Sequence, residues 1–316
     1  MTPSEVAQGV LDGRRRAIGR AISMAESLGP DGREVMRLLH PRAGRAVRVG
    51  ITGSPGAGKS TLSAALVRHL RARGMSVAIV SVDPTSPFTN GAVLGDRIRL
   101  VDHFLDEGVF IRSMASRGHL GGLAEATGDA VTILDAAGFD VVIVETVGAG
   151  QNEIEVQALA DTVVLVLMPG SGDAIQAIKA GVMEIPDVIV INKCDRPGAD
   201  ILAGEVESAL TLVPSDDWLP PVVLTQALDG QGVEQAWDAV ERHRADLSSS
   251  GRAPERALDG MRRNLRSLAL ERMARDLAAR ADEAALDALA ARVLAREIDP
   301  ATAVDSILGG SSPEEA

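Results

Sequence analysis

The chain contains no tyrosine, and aromatic residues make up only 2% of its 316 positions. Stacking platforms for single-stranded nucleic acid are therefore not available. Basic charge is also scarce. The formal net charge is −12, whereas a general nucleic-acid binder needs a basic face to release counterions. A single cysteine, Cys194, excludes an internal disulfide framework and fits a reducing compartment. The five histidines are scattered, without the spacing of a zinc site. No apolar run approaches the roughly 20 residues that span a bilayer. The longest, residues 163–168, has the length of a buried strand. At the start, Arg14, Arg15 and Arg16 arrive before any apolar signal core. These absences predict a cytoplasmic protein with no membrane anchor and no nucleic-acid partner.

What is present is an apolar content of 46% with 32 glycines, which suits a buried core joined by tight turns. The length predicts one large domain with helical additions. Residues 1–45 read as helices, broken at Gly29-Pro30. From residue 46, β-branched runs at 47–52, 77–83, 109–113, 141–145, 162–168, 188–192 and 222–225 alternate with helix patterns at 59–73, 123–137, 173–181, 200–212 and 231–244. The strand runs are apolar on both faces, which predicts an α/β fold: a mostly parallel, doubly wound sheet covered on both sides. Such sheets bind ligands outside the carboxyl ends of their strands. The expected divisions are a helical extension at 1–45, a P-loop nucleotide domain at 46–246, a linker at 247–251, a helical region at 252–310 and a disordered tail at 311–316. In the helical region Met261, Leu265, Leu268, Met273 and Leu277 recur at near-helical spacing. That stripe predicts packing against a neighbouring helix, with a subunit interface as the lesser alternative.

Gly53-Ser54-Pro55-Gly56-Ala57-Gly58-Lys59-Ser60 fits the phosphate-loop pattern, with a strand before it and a helix after it. A triphosphate needs a concave array of backbone N–H donors, and glycines permit the conformations that aim amides inward. The following helix adds its positive amino end. Lys59 is expected to bridge the β and γ phosphates, and the Ser60 hydroxyl to ligate Mg²⁺. Asn192-Lys193-Cys194-Asp195 follows the sixth strand run. A carboxylate at Asp195 can accept from the N1–H and exocyclic amine of guanine, a pair of donors that adenine lacks. Cys194 reads as a small filler there, since no histidine adjoins it.

Asp83, Asp96 and Glu145 are the candidates for the metal end of the site. Mg²⁺ takes only one or two carboxylates beside phosphate oxygens and water. Asp83 and Asp96 are expected near the metal, with Glu145 contacting metal-bound or nucleophilic water. Ala149, and no glutamine, directly follows Gly148, which predicts slow unaided hydrolysis. Lys179 could add positive charge near the phosphates, or be an exposed helical lysine.

The motifs together resemble the MeaB/ArgK GTPases associated with methylmalonyl-CoA mutase. The segments that carry the resemblance are 50–61, ending in Lys59-Ser60-Thr61, then 82–87, 94–97, 118–122, 141–151, 176–179 and 192–195. Residues 14–22 and 298–303 are similar as well, so the likeness covers nearly the whole chain. It implies GTP and GDP as ligands, Mg²⁺ as cofactor, and a role in gating adenosylcobalamin delivery to an acyl-CoA mutase and protecting that enzyme. It also implies homodimers formed through the C-terminal helices. By the same resemblance, metal and switch roles fall on Asp83, Asp96 and Glu145, and a mobile segment on 169–179 with Lys179. One departure is the base-backing loop, commonly Ser-Ala in the family and Gln226-Ala227-Leu228 here. The alternatives are a metal-inserting GTPase, which should carry histidine tracts or paired cysteines, and a P-loop small-molecule kinase, which should need an acceptor for turnover.

Overall fold

The computed structural model describes residues 1–83, 105–115, 125–146, 153–170, 186–211, 218–280 and 283–308. Three helices come first: α1 (Pro3–Leu11), α2 (Arg15–Glu26) and α3 (Pro30–Leu39). Thr2 caps α1 in a reciprocal box with Glu5, and Pro30 opens α3, where its missing N–H costs nothing. The strands are β1 (Val47–Gly53), β2 (Val77–Asp83), β3 (Val109–Ala115), β4 (Val141–Thr146), β5 (Thr162–Leu167), β6 (Val188–Asn192) and β7 (Val222–Thr225). Between and after them lie α4 (Lys59–Ala72), α5 (Glu125–Ala136), α6 (Glu153–Leu159), α7 (Ala199–Leu210), α8 (Val233–Ser249), α9 (Ala253–Arg280), α10 (Glu283–Leu294) and α11 (Pro300–Leu308).

The seven strands form one parallel sheet in the order β3-β2-β4-β1-β5-β6-β7. Side chains alternate across it, so each strand feeds two cores. Ala78, Val80, Val142 and Val144 meet α2, α3, α5 and α6 on one face, whereas Ile51, Ile79, Ile143 and Val190 meet α4 and α8 on the other. On the first face the far strands β5 and β6 pack Leu165, Leu167, Ile189 and Ile191 against α7. Each fully buried aliphatic side chain contributes about 1.5–3 kcal/mol, so the double covering makes the sheet a rigid platform. The amino-terminal helices join it through Asp135 on α5, whose carboxylate accepts from the backbone N–H groups of Gly44, Arg45 and Ala46 at 2.7–3.0 Å. That clamp steers the chain into the central strand β1.

The expected strands appear within two residues of their predicted ends. Two differences stand out. Residues 247–249, expected in a linker, continue α8, because Leu247 is buried as the next step of the helix's apolar face. The short helix α6 was not expected at all. Val156, Leu159 and Ala160 pack it on the sheet, and the approach depends on Gly50, where a Cβ would lie 2.1 Å from Val156 Cγ1. The patterns at 173–181 and 311–316 lie outside the described residues.

By contacts the chain divides into Met1–Asn264 and Leu265–Ala316, a boundary within α9. In the second unit Leu265, Leu270 and Met273 are exposed, and in the first so is Met261. Leu277 is exposed too, and Leu268 is half-buried, so among the described residues most of the stripe is not covered by a neighbouring helix. Among the described residues no helix is long and apolar enough to cross a membrane.

Candidate nucleotide site

The central strand β1 ends in the glycine-rich loop, and the geometry there explains the glycines. Gly53 has φ 138°, and a Cβ on it would lie 2.1 Å from the Val166 carbonyl oxygen of β5. Gly58, at φ 96°, caps α4, and a Cβ there would strike the Asn192 amide nitrogen at 2.2 Å. Any larger residue would break the loop's fit to its neighbouring strands. Pro55 and Gly56 are exposed at the tip, while Ser54 and Ala57 are buried. Lys59 is buried, and its ammonium donates to the carbonyl oxygens of Gly53 and Ser54 at 2.7 and 3.0 Å. Those are main-chain acceptors on the loop itself, so the ammonium is held over the concavity that the loop encloses.

Asn192, at the end of β6, is the joint between the loop and the sheet's far side. Its amide donates to the Ala57 carbonyl at 2.9 Å, and its oxygen accepts from the Thr225 hydroxyl and the Ala227 N–H, both at 3.1 Å. The side chain is buried, and three partners satisfy it. The next residue, Lys193, takes a left-handed backbone (φ 58°) that turns its side chain back over the loop. Its ammonium donates to the Gly56 carbonyl at 2.6 Å. Cys194 is half-buried beside the β5–β6–α7 core, and its N–H donates to the Thr225 carbonyl. Asp195 follows, exposed to solvent. Gln226 donates through its amide to Asp229 at 2.6 Å and is not turned onto Asn192; Ala227 makes that contact, and Leu228 is exposed.

At the expected metal end the structure brings Glu145 and Ser60 together. Glu145 lies at the end of β4, buried, and its Oε1 accepts from the Ser60 hydroxyl. The Ser63 hydroxyl lies 2.9 Å from Oε2. Sequence reasoning missed Ser63, although a serine on a face of α4 otherwise made of Ala64, Leu66, Val67 and Leu70 was a legible signal. Asp83 closes β2 in register with Ala115. Asp96, Lys179 and residues 147–150 lie outside the described residues. A hard, oxygen-only pair made of a hydroxyl and a carboxylate, beside a lysine-bearing phosphate loop, fits a magnesium ion shared with phosphate oxygens.

A second polar cluster sits at the opposite, amino ends of the strands. Asp187, just before β6, accepts from the Val163 N–H at 2.8 Å and from Arg256 of α9 at 2.5 Å. His243 of α8 faces it through Nε2 at 3.3 Å and meets the Thr162 hydroxyl through Nδ1 at 2.9 Å. Burial pushes the Asp187 carboxyl up to about 6 against the pull of Arg256 and the Val163 N–H. Burial, and then the nearby Arg256 and Arg252, push the His243 imidazole down to about 3. Threonine, histidine and aspartate in a row resemble a hydrolytic relay, but the first two are sealed from solvent. They fasten α8 and the start of α9 to the sheet.

Comparison with known proteins bears on the carboxyl-end site. Residues 18–282 match the family described as Methylmalonyl Co-A mutase-associated GTPase MeaB. A Pyrococcus abyssi protein given the provisional name of a GTPase is 46% identical over 321 residues, covering 98% of this chain and 99% of its own length. The GTPase ArgK of Escherichia coli is 38% identical over 260 residues, covering 79% of this chain and 78% of its own length. The mouse protein named methylmalonic aciduria type A homolog, mitochondrial, is 34% identical over 263 residues, covering 77% of this chain and 63% of its own length. Among solved structures, a LAO/AO transport system kinase superposes with a TM-score of 0.72 at 29% identity, covering 97% of this chain and 96% of that one.

Proposed function

The chain belongs to the MeaB family of methylmalonyl-CoA mutase-associated GTPases, and from that membership we propose that it binds Mg-GTP, hydrolyses it slowly, and uses its nucleotide state to gate adenosylcobalamin loading and protection of an acyl-CoA mutase. The observation that carries the nucleotide half of this reading is the Asn192 side chain. One buried amide ties the phosphate loop at Ala57 to the loop at Ala227. Phosphate recognition and base recognition are thereby held in a single register.

In this reading the backbone of Gly53–Thr61 and the Lys59 ammonium receive the phosphates, exchanging the carbonyl partners of Lys59 for phosphate oxygens of higher charge. Lys193 covers the purine side of the loop, Asp195 accepts the guanine N1–H and amine, and the Ala227 region (Gln226–Leu228) backs the base. Ser60, with Asp83 and Asp96, would hold Mg²⁺, with Glu145 contacting metal-bound or nucleophilic water; the ion when bound neutralises charge on the phosphate oxygens. Lys179 would add positive charge in one nucleotide state. The absence of a glutamine directly after Gly148 supports slow unaided turnover. The exposed stripe at Met261, Leu265 and Met273 supports a homodimer formed through residues 252–310. The mutase half rests on the family's description and on the name of the mouse relative.

Calorimetry with Mg-GTP and Mg-ATP, followed by phosphate release with and without a purified adenosylcobalamin-dependent acyl-CoA mutase, tests both halves. GTP should bind far more tightly than ATP, and Asp195→Asn should weaken GTP about 100-fold or more through the loss of two charge-assisted hydrogen bonds. The mutase should form a complex whose stability differs between GTP and GDP. Equal binding of ATP would sink the nucleotide assignment. A mutase indifferent to the chain in either nucleotide state would sink the partner.

A further inference from the structure

Glu145 is gripped from one helix face by two serines. Ser60 and Ser63 are three residues apart on α4, so their side chains rise on the same side, over adjacent turns. Ser60 donates to Oε1 of the carboxylate; Ser63 Oγ lies 2.9 Å from Oε2 and 3.1 Å from the Lys59 carbonyl oxygen. A hydroxyl has one proton to give. Of the two acceptors the carboxylate, when ionised, is about twice as strong as the neutral carbonyl. Ser63 is fully buried. Its flanks are apolar, and alanine is the better helix former. Glu145 is the reason for a polar group at this depth.

We propose that Ser63 is a positioning residue that holds Glu145 on the magnesium side of the site, turned toward Ser60 and away from the attacking water. The proposal rests on the nucleotide reading above and decides between the two waters that Glu145 could serve. With Oε2 anchored inside the core, Oε1 stays at the hydroxyl that the phosphate-loop pattern assigns to the metal. Reaching an attacking water would require Glu145 to leave both serines and strand the Ser63 hydroxyl without a charged partner. The hydroxyl would then have only the neutral Lys59 carbonyl, an acceptor about half as strong.

The test is equilibrium binding of a fluorescent GDP analogue at stepped free Mg²⁺, with folding checked by circular dichroism, for the unaltered chain and for Ser63→Ala, Ser63→Cys and Ser63→Thr. Ser63→Ala should raise the free-Mg²⁺ midpoint about tenfold, the usual cost of losing an outer-shell partner, with nucleotide affinity in EDTA held within about twofold. Ser63→Cys keeps the volume but donates weakly, so it should follow alanine; Ser63→Thr keeps the hydroxyl and should restore the midpoint. Cysteine behaving as the native serine would make the residue a packing element and overturn the proposal. So would an unshifted midpoint in alanine, or parallel weakening in EDTA. Failure of the unaltered chain to bind the analogue at any Mg²⁺ would instead overturn the nucleotide reading itself.

Discussion

The two ends of the parallel sheet bury comparable polar chemistry and pair it differently. At the amino ends Thr162, Asp187 and His243 are closed in with Arg256, side chain against side chain, on strands and helices that have no reason to part. At the carboxyl ends the partners of Lys59, Asn192 and Lys193 include main-chain carbonyls of one short loop. A carbonyl on a loop is an acceptor that a phosphate oxygen can replace with a gain in charge. A carboxylate locked between an arginine, a neutral imidazole and a backbone N–H is not open to such exchange. The first arrangement holds a fold, and the second keeps donors ready.

This contrast predicts that substitutions at the two ends fail in different ways. The largest effect should come from Asp187→Ala, which leaves His243 and Arg256 facing an empty partner position. Losing the charged bond of Arg256 and the acceptor of the buried Val163 N–H costs about 3–5 kcal/mol together, to be read from urea unfolding, with nucleotide affinity of the folded protein unchanged. A loss below about 1 kcal/mol, the scale of an exposed pair, would remove the distinction between the ends. Lys59→Ala should do the reverse. Nucleotide affinity should fall about 100-fold, the equivalent of two charged hydrogen bonds, while the unfolding midpoint without nucleotide stays near that of the unaltered chain. If the midpoint falls as far as in Asp187→Ala, the lysine is a structural group.

The smallest effect is a dependence on pH. His243 is neutral in the fold with its pKa near 3, so its contribution is complete above 6.5 and is lost as pH falls toward about 3. Asp187 has the opposite sense. Its pKa is raised from 3.8 to about 6, so its contribution is complete below 3.8 and is lost as pH rises through about 6. Between pH 3.8 and 6 the two slopes oppose each other. His243→Phe removes one of them, and stability relative to the unaltered chain should then fall by on the order of 1 kcal/mol as pH climbs from about 4 to 6. Urea midpoints measured across that range decide it. A gap between the two proteins that is constant with pH would show that the histidine stays charged in the fold.

Much of this architecture could be read in advance. The seven strand runs, the phosphate loop and the Asn192–Asp195 motif announce themselves by local pattern. The presence of α6 did not, because its helical state depends on Gly50 admitting Val156, a contact 106 positions away in the chain. His243 left a faint trace: it falls in line with Ala236, Val240 and Leu247 on the buried face of α8, where a histidine must find a polar partner. That the partner is Asp187 was not legible.

Sequence alone determined which chemical groups this protein has at the ends of its strands, because a strand–turn–helix motif is a local matter of backbone freedom and side-chain type. Only the tertiary structure decided who meets whom. It set β4 between β2 and β1, so that Glu145 comes over Ser60 and Ser63, and it put β6 two places from β1, so that Asn192 reaches Ala57. Strand order is the outcome of packing two apolar faces at once, a property of the whole sheet that no single window of residues contains.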